Sequence, residues 1–409
     1  MKIITYGEVD TRAYEQLIRC AESGSADFAV LCADSHVGYS QPIGAAIAYE
    51  RFISPSGVGY DIGCGNKAVK TNLKAADINV TQAMDDIFKH ISFGIGRSNE
   101  DKVEHSVLED ISNANIKEQR DMLDKAAKQL GTVGSGNHYV DLFEDEDGWL
   151  WIGVHFGSRG FGHSTASGFL ALSQGKNWGE KAMEGEMDSP PILFDVDSEL
   201  GQMYIEAMTL AGKYAYAGRD VVVQKVLELI HAESVEEIHN HHNFAWKENH
   251  FGKDYWVVRK GCTPAFPEQK GFVGATMGGV SVILKGIESS VSAENLYSTV
   301  HGAGRVMSRT QAAGKWKKIN EQRTKPDGTS YTFKRRVRSQ GLIDWDAARA
   351  DLKEKQIELR GGGADEAPGA YKNLDSVLRY HKDSIEILHQ LRPIGVAMAG
   401  NDVFDPYKD

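Results

Sequence analysis

Six short apolar runs set off by glycine limit the fold more than any other feature: Phe28 to Ala33, Ala45 to Tyr49, Lys67 to Leu73, Trp149 to His155, Asp254 to Arg259 and Gly279 to Leu284. Each has the length and β-branched content of a strand. Between them, apolar residues recur at three- and four-residue spacing in Thr11 to Ala21, Val80 to His90, Asn115 to Leu130, Glu199 to Ala232 and Leu374 to Leu391, which predicts outer helices. The order of strands and helices is mixed, so the expected class is α+β rather than a regular βαβ array. With no internal repeat and no low-complexity linker, one large domain over 1–409 is expected.

Composition then narrows the function. There are 46 Lys and Arg against 57 Asp and Glu, a net charge of −11, so the mean field of the protein does not hold a polyanion. Any nucleic acid needs a local basic site. The four cysteines, Cys20, Cys32, Cys64 and Cys262, include no CxxC pair, which argues against a zinc ribbon and a disulfide framework and fits a reducing compartment. The first ten residues lack a basic region followed by an apolar core, and no apolar run approaches the ~20 residues of a membrane span. A cytoplasmic protein is expected.

One segment departs from the acidic average. Between 315 and 338 stand Lys315, Lys317, Lys318, Arg323, Lys325, Lys334, Arg335, Arg336 and Arg338, interleaved with Trp316, Tyr331 and Phe333. Lys325-Pro326-Asp327-Gly328 is a turn signal, so the segment reads as a basic hairpin insertion. It suits a nucleic-acid strand, charge for phosphate and rings for bases, and it equally suits a solvated surface hairpin.

Histidines beside glycine mark where chemistry would sit. They occur in Gly134-Ser135-Gly136-Asn137-His138, in Val154-His155-Phe156-Gly157-Ser158-Arg159-Gly160 and in His301-Gly302-Ala303-Gly304-Arg305, with three further imidazoles in His239-Asn240-His241-His242-Asn243. Turns at strand ends commonly host sites, although a single histidine is more often structural. Asp61-Ile62-Gly63-Cys64-Gly65-Asn66 adds a carboxylate and a thiol three residues apart. Together these donors suit one or two divalent ions, with a thiolate able to bridge. A buried inert thiol is the competing reading of the hexapeptide. Asn137, Ser158, Arg159, Arg305, Ser308 and Arg309 supply donors for phosphate without GxGxxG or a Walker motif. Phosphoryl or nucleotidyl transfer and metal-dependent hydrolysis both fit this set.

The segments DIGCGN (61–66), GSGNH (134–138), VHFGSRGFGH (154–163), HHN (241–243), HGAGRVMSRT (301–310) and DEAPGAYKNLD (365–375) resemble, in order and over nearly the whole chain, the RtcB family of RNA-splicing ligases. The resemblance implies stacked mixed β-sheets flanked by helices. It implies a GTP- and Mn(II)-dependent ligase that joins an RNA 3′-phosphate or 2′,3′-cyclic phosphate to a 5′-hydroxyl through a histidine–GMP intermediate. By motif, Asp61, Cys64 and His138 would bind one Mn(II), Cys64, His155 and His242 the other, and His301 would be the nucleophile. The guanylate would lie on Asn137, Tyr139, Asp141, His242, Asn243, Gly274, Ala275, Thr276, Met277, Ser281, Gly302, Ala303 and Gly304, with Tyr371 stacked on the base. Arg159, Arg305 and Arg309 would hold RNA phosphate.

The pattern departs from the family at Asp141, where relatives carry glutamate, at Gly274 to Met277, and at Ala399-Gly400, where many carry a nucleotide-contacting Lys-Gly. Lys408 is the candidate substitute for that lysine, and Asp34 and His36 resemble a family segment without an assigned role. A monomer is the default expectation, and an activating accessory protein is among the partners the resemblance allows. A phosphoesterase that trims RNA ends without joining them, and a non-catalytic RNA-binding protein, are the competing functions.

Overall fold

The computed structural model describes residues 1–182 and 186–400; Lys408 lies outside them. The chain is α+β, built on two main sheets. The smaller runs in the order Lys2–Thr5, Phe28–His36, Ile43–Tyr49, Lys253–Lys260, Asn243–His250. The larger follows the order Lys270–Val273, Ser281–Gly286, Ile385–Gly400, Tyr139–Glu144, Trp149–Phe156, Gly65–Lys74, Ser234–His241, with Glu358–Gly362 parallel to Ile385–Gly400. Both sheets are mixed, each having one parallel pair among antiparallel ones.

Alternation decides which side chains face the site. Along Trp149–Phe156, Leu150, Ile152, Val154 and Phe156 join Val222, Val223 and Val226 of the helix Glu199–Leu229 in one apolar cluster. The period of two therefore sends Trp151 and His155 to the opposite face. Val140 and Leu142 enter the same helix-facing cluster, which leaves Tyr139, Asp141 and Phe143 on the side of His155. The smaller sheet is apolar on both sides. Leu31 and Ile47 meet Leu17 and Tyr204 from helices, while Val30, Ala46 and Val257 meet Val273, Val282 and Leu284 of the larger sheet.

All six expected strands are present, each extended by one to three residues at one or both ends or, for Gly279 to Leu284, shifted to Ser281–Gly286. Three expected helices also form, Thr11–Ser23, Val80–His90 and Glu199–Leu229, capped at their N-termini by the side chains of Asp10, Asn79 and Ser198. Asn115 to Leu130 instead forms two short helices, Lys117–Arg120 and Leu123–Gln129, separated at Asp121 and Met122. The helix expected over Leu374 to Leu391 is corrected more deeply. It stops at Leu378 and a short 3-10 turn follows. Ile385–Gly400 is then a strand hydrogen-bonded on both sides, to Ser281–Gly286 and to Tyr139–Glu144. No helix among the described residues is long and apolar enough to cross a membrane.

Candidate active site

Four strand ends of the larger sheet meet at one point. Gly65, which opens Gly65–Lys74, pairs with Phe156 and with His241, and Tyr139, which opens Tyr139–Glu144, pairs with His155. Residues at or just beyond those ends are therefore neighbours: Cys64, His138, His155 and His242. His242 lies between Ser234–His241 of the larger sheet and Asn243–His250 of the smaller, and its N–H donates to the Cys64 carbonyl at 2.9 Å.

The donor atoms of Asp61, Cys64 and His138 lie within 4.8 Å of one another, and so do those of Cys64, His155 and His242. Cys64 Sγ is 3.8 Å from Nε2 of His138 and 3.8 Å from Nε2 of His155, and Nε2 of His138 is 3.2 Å from the Asp61 carboxylate. Two three-ligand sets thus share one sulfur. Two of the three rings are oriented from behind. His155 Nδ1–H donates to Asn66 Oδ1 at 2.6 Å and His138 Nδ1–H to the Val133 carbonyl at 2.9 Å, so both turn Nε2 towards the sulfur. Nδ1 of His242 is buried without a hydrogen-bond partner among the described residues. Such an orphaned buried atom is what a bound cation would satisfy.

The electrostatics suit a cation too. Burial pushes the Cys64 thiol well up, and the neighbouring Asp61 adds to this; a divalent ion reverses that balance by binding the thiolate. Burial raises Asp61 as well, but the contact with His138 outweighs it and holds the carboxyl down at about 2. Burial keeps His155 and His242 neutral far below the usual imidazole range, the state in which imidazole ligates metal.

Tight packing explains two of the glycines. Gly63 has φ +69°, and a Cβ there would lie 3.1 Å from Ala215 Cβ and 3.2 Å from Gly212 Cα of the long helix. A Cβ on Gly157 would fall 2.2 Å from Asp61 Oδ1. The same helix supplies Arg219, fully buried, whose guanidinium donates to the carbonyls of Gly63 (2.9 Å) and Phe156 (2.5 Å) and to ring nitrogens of His239 (2.8 Å) and His241 (2.9 Å). The histidine run is thereby divided: His239 and His241 serve Arg219, and only His242 enters the ligand sets.

His301 follows the strand Ser298–Val300, with its ring centroid 4.9 Å from that of His242. Its Nδ1–H donates to Asp34 Oδ2 at 2.6 Å, and its backbone N–H donates to the same oxygen at 3.0 Å. Asp34 is fully buried. Burial works against its charge, yet the interaction with His301 keeps the carboxyl low, hence ionised. Its place in the strand Phe28–His36 gave no sign of this partner 267 residues away.

The segments expected to hold a nucleotide converge here. Gly274 bridges Gly302 and Arg305 bridges Tyr371, while the Ala275 N–H donates to Ser281 Oγ at 2.9 Å and the Gly261 N–H to Asn243 Oδ1 at 2.7 Å. Tyr139 Oη and Asp141 Oδ1 are buried without partners among the described residues, and burial raises the Asp141 carboxyl well above its usual range. Of the arginines, Arg305 spends its donors on Met307, Asp365, Glu366 and Tyr371. Arg309 pairs with Glu366 at 2.9 Å and reaches Asn137 Oδ1 at 3.5 Å; Arg159 donates to Thr132 and to the Gly94 carbonyl. Glu366, unassigned in the sequence reading, is the acceptor that binds Arg305, Arg309 and Tyr371 together.

The two ligand sets that share the Cys64 sulfur, with the carboxylate-bound His301 beside them, form a candidate divalent-metal centre. The family model described as tRNA-splicing ligase RtcB matches residues 16–342, and the chain belongs to the RtcB family. It is similar to the RNA-splicing ligase RtcB1 of Escherichia coli, 31% identical over 88% of this chain and 87% of the relative. It is also similar to the RNA-splicing ligase RtcB of Escherichia coli K12 (30%, with 88% and 87% covered) and to the tRNA-splicing ligase RtcB of Thermococcus kodakarensis (29%, with 90% and 87% covered). RNA ligation of the tRNA-splicing type is the activity this membership supports.

Proposed function

We propose that the protein joins an RNA 3′-phosphate or 2′,3′-cyclic phosphate end to a 5′-hydroxyl end, using GTP and Mn(II). The observation that carries this reading is His301, set against His242 on one side and against ionised Asp34 on the other. Asp61, Cys64 and His138 would hold one Mn(II) and Cys64, His155 and His242 a second. When bound, the pair would offset charge on the attacking and leaving oxygens of a transferred phosphate.

His301 does the covalent work. With Nδ1–H committed to Asp34, its Nε2 carries the lone pair, and attack on the α-phosphorus of GTP forms the P–N bond as the bond to pyrophosphate breaks. Asp34 steadies the positive charge that develops on the ring. An oxygen of the RNA 3′-phosphate then takes the guanylyl group, breaking the P–N bond and restoring His301. The 5′-hydroxyl oxygen finally attacks the 3′-phosphorus, GMP departs with the electron pair of the broken bond, and the hydroxyl proton is lost to solvent. Asn137, Asn243, the Gly274–Met277 turn and Ser281 line the nucleotide's place in this reading, and Asp141 Oδ1 and Tyr139 Oη supply polar atoms that have no partner among the described residues. Tyr371 is held by Arg305 as the base-facing ring, while Arg159 and Arg309 are the arginines for RNA phosphate.

Incubation with Mn(II) and GTP labelled at the α-phosphate is the test. Label retained on denatured protein and absent from His301→Ala supports the adduct, and recovery of joined RNA from 3′-phosphate and 5′-hydroxyl ends separates ligation from end-trimming. An unlabelled wild-type protein defeats the reading.

A further inference from the structure

The segment that the catalytic chemistry leaves unused is the basic one. Trp316–Thr324 and Ser330–Arg338 pair in antiparallel register as a two-stranded sheet of their own, turned at Lys325 to Gly328. None of the described side chains from 315 to 338 is buried, so both faces of the ribbon are open. The 24 residues carry nine basic side chains against only Glu321 and Asp327, in a protein whose total is −11. An isolated two-stranded hairpin is poorly supported by its own core, so its charge pattern and exposed rings, rather than burial, are what the sequence specifies there.

Its root lies beside the site. The ribbon begins three residues after the helix Arg309–Ala313, whose first residue reaches Asn137, and the returning chain is tied to that helix by the Leu342 N–H on the Gln311 carbonyl and the Ile343 N–H on the Ala312 carbonyl. Nine residues per strand give a length of ~30 Å. A stacked nucleic-acid strand carries one phosphate per ~3.4 Å, so about nine lie along that length. On one face Tyr331 and Phe333 are exposed at 39% and 36%, with the Arg323 guanidinium 4.0 Å from the Phe333 ring centre. Exposed rings stack on unpaired bases, whereas the bases of a duplex are already stacked on each other.

We propose that this ribbon is an arm that binds the single-stranded RNA leading into the ligation site, phosphates on its lysines and bases on Tyr331 and Phe333. The inference rests on the ligase reading for its substrate, and on the ribbon's own charge and rings for the contact. The test uses the full chain, binding of a fluorescent 12-nucleotide single-stranded RNA with a 3′-phosphate, and two variants: Lys317, Lys318, Lys325 and Lys334 together changed to Gln, and Tyr331→Ala with Phe333→Ala. None of these residues is buried, so both variants should fold as the parent does.

Removing four phosphate contacts should lower the slope of log affinity against log salt by about 2 to 3 and weaken binding at least tenfold near 0.1 M salt. The ring variant should weaken single-strand binding with the salt slope unchanged and with no effect on a duplex of the same length. Labelling of His301 by GTP, which needs no RNA, should be the same in parent and variants. RNA affinity and salt slope unchanged in the lysine variant overturn the arm and leave the ribbon to a protein partner. Failure of the parent to form the adduct defeats the ligase reading instead, and the binding result then stands or falls separately.

Discussion

Asp34→Asn isolates the group behind the proposed nucleophile, His301. The wild-type carboxylate is fully buried and accepts two N–H donors of His301, at 2.6 and 3.0 Å, and the Gly302 N–H at 3.4 Å. The amide is nearly isosteric, so the loop keeps its shape, but the charge proposed to steady the imidazole during attack is gone. A hydrogen bond to a charged group is worth about 1.5–3 kcal/mol. At ~1.4 kcal/mol per decade of rate, guanylylation should slow about 10- to 150-fold. Further loss follows if the amide turns its NH2 towards His301 and favours the wrong tautomer. The assay is single-turnover labelling by GTP at saturating Mn(II), with Mn(II) binding measured alongside, since Asp34 belongs to neither ligand set. A labelling rate within threefold of the parent, with normal metal binding, refutes the assignment of Asp34 as the positioning group.

Other expectations follow from the same packing. Asn66→Ala removes the acceptor that fixes the His155 ring, and loss of such an outer partner typically lowers metal affinity about 10- to 100-fold; titration calorimetry with Mn(II) checks this, and unchanged affinity contradicts it. Glu248→Gln breaks a buried pair in which the carboxylate binds Arg259 at 2.6 and 3.0 Å and His250 at 2.8 Å, at a cost of about 3 kcal/mol or more at neutral pH. Burial raises the Glu248 carboxyl, but Arg259 foremost and His250 bring it below its ordinary 4.5. Its stabilising contribution is therefore complete above pH 4.5 and lost as pH falls through the lower folded value, so the denaturation difference between parent and variant should shrink in acid.

The sequence was most informative where a local pattern decides the outcome. Apolar runs between glycines became strands because their length and alternation admit little else, and Lys325 to Gly328 became a turn for the chemistry of its residues. Ile385 to Leu391 misled because its apolar spacing also suits a helix, and pairing to strands about a hundred and about 250 residues earlier overrode local preference. The candidate ligand residues were legible as motifs, but their supports were not. Asp34, Asn66, Arg219 and Glu366 each reach at least one partner 57 to 267 residues distant, and a polar side chain in a strand or helix does not reveal in advance what it will face. Arg219 left one usable sign, an arginine after Tyr214-Ala215-Tyr216-Ala217-Gly218, where a small-residue stretch brings other backbone close.

His242 joins a strand of the larger sheet to a strand of the smaller and also belongs to one of the ligand sets. The other donors stand at strand ends of the larger sheet, so the ligand set reaches its spacing only after Gly65–Lys74, Tyr139–Glu144, Trp149–Phe156 and Ser234–His241 have found their register. Affinity for a divalent ion would therefore gauge completed assembly, and a chain halted earlier in folding would present the same motifs to the ion without the grip.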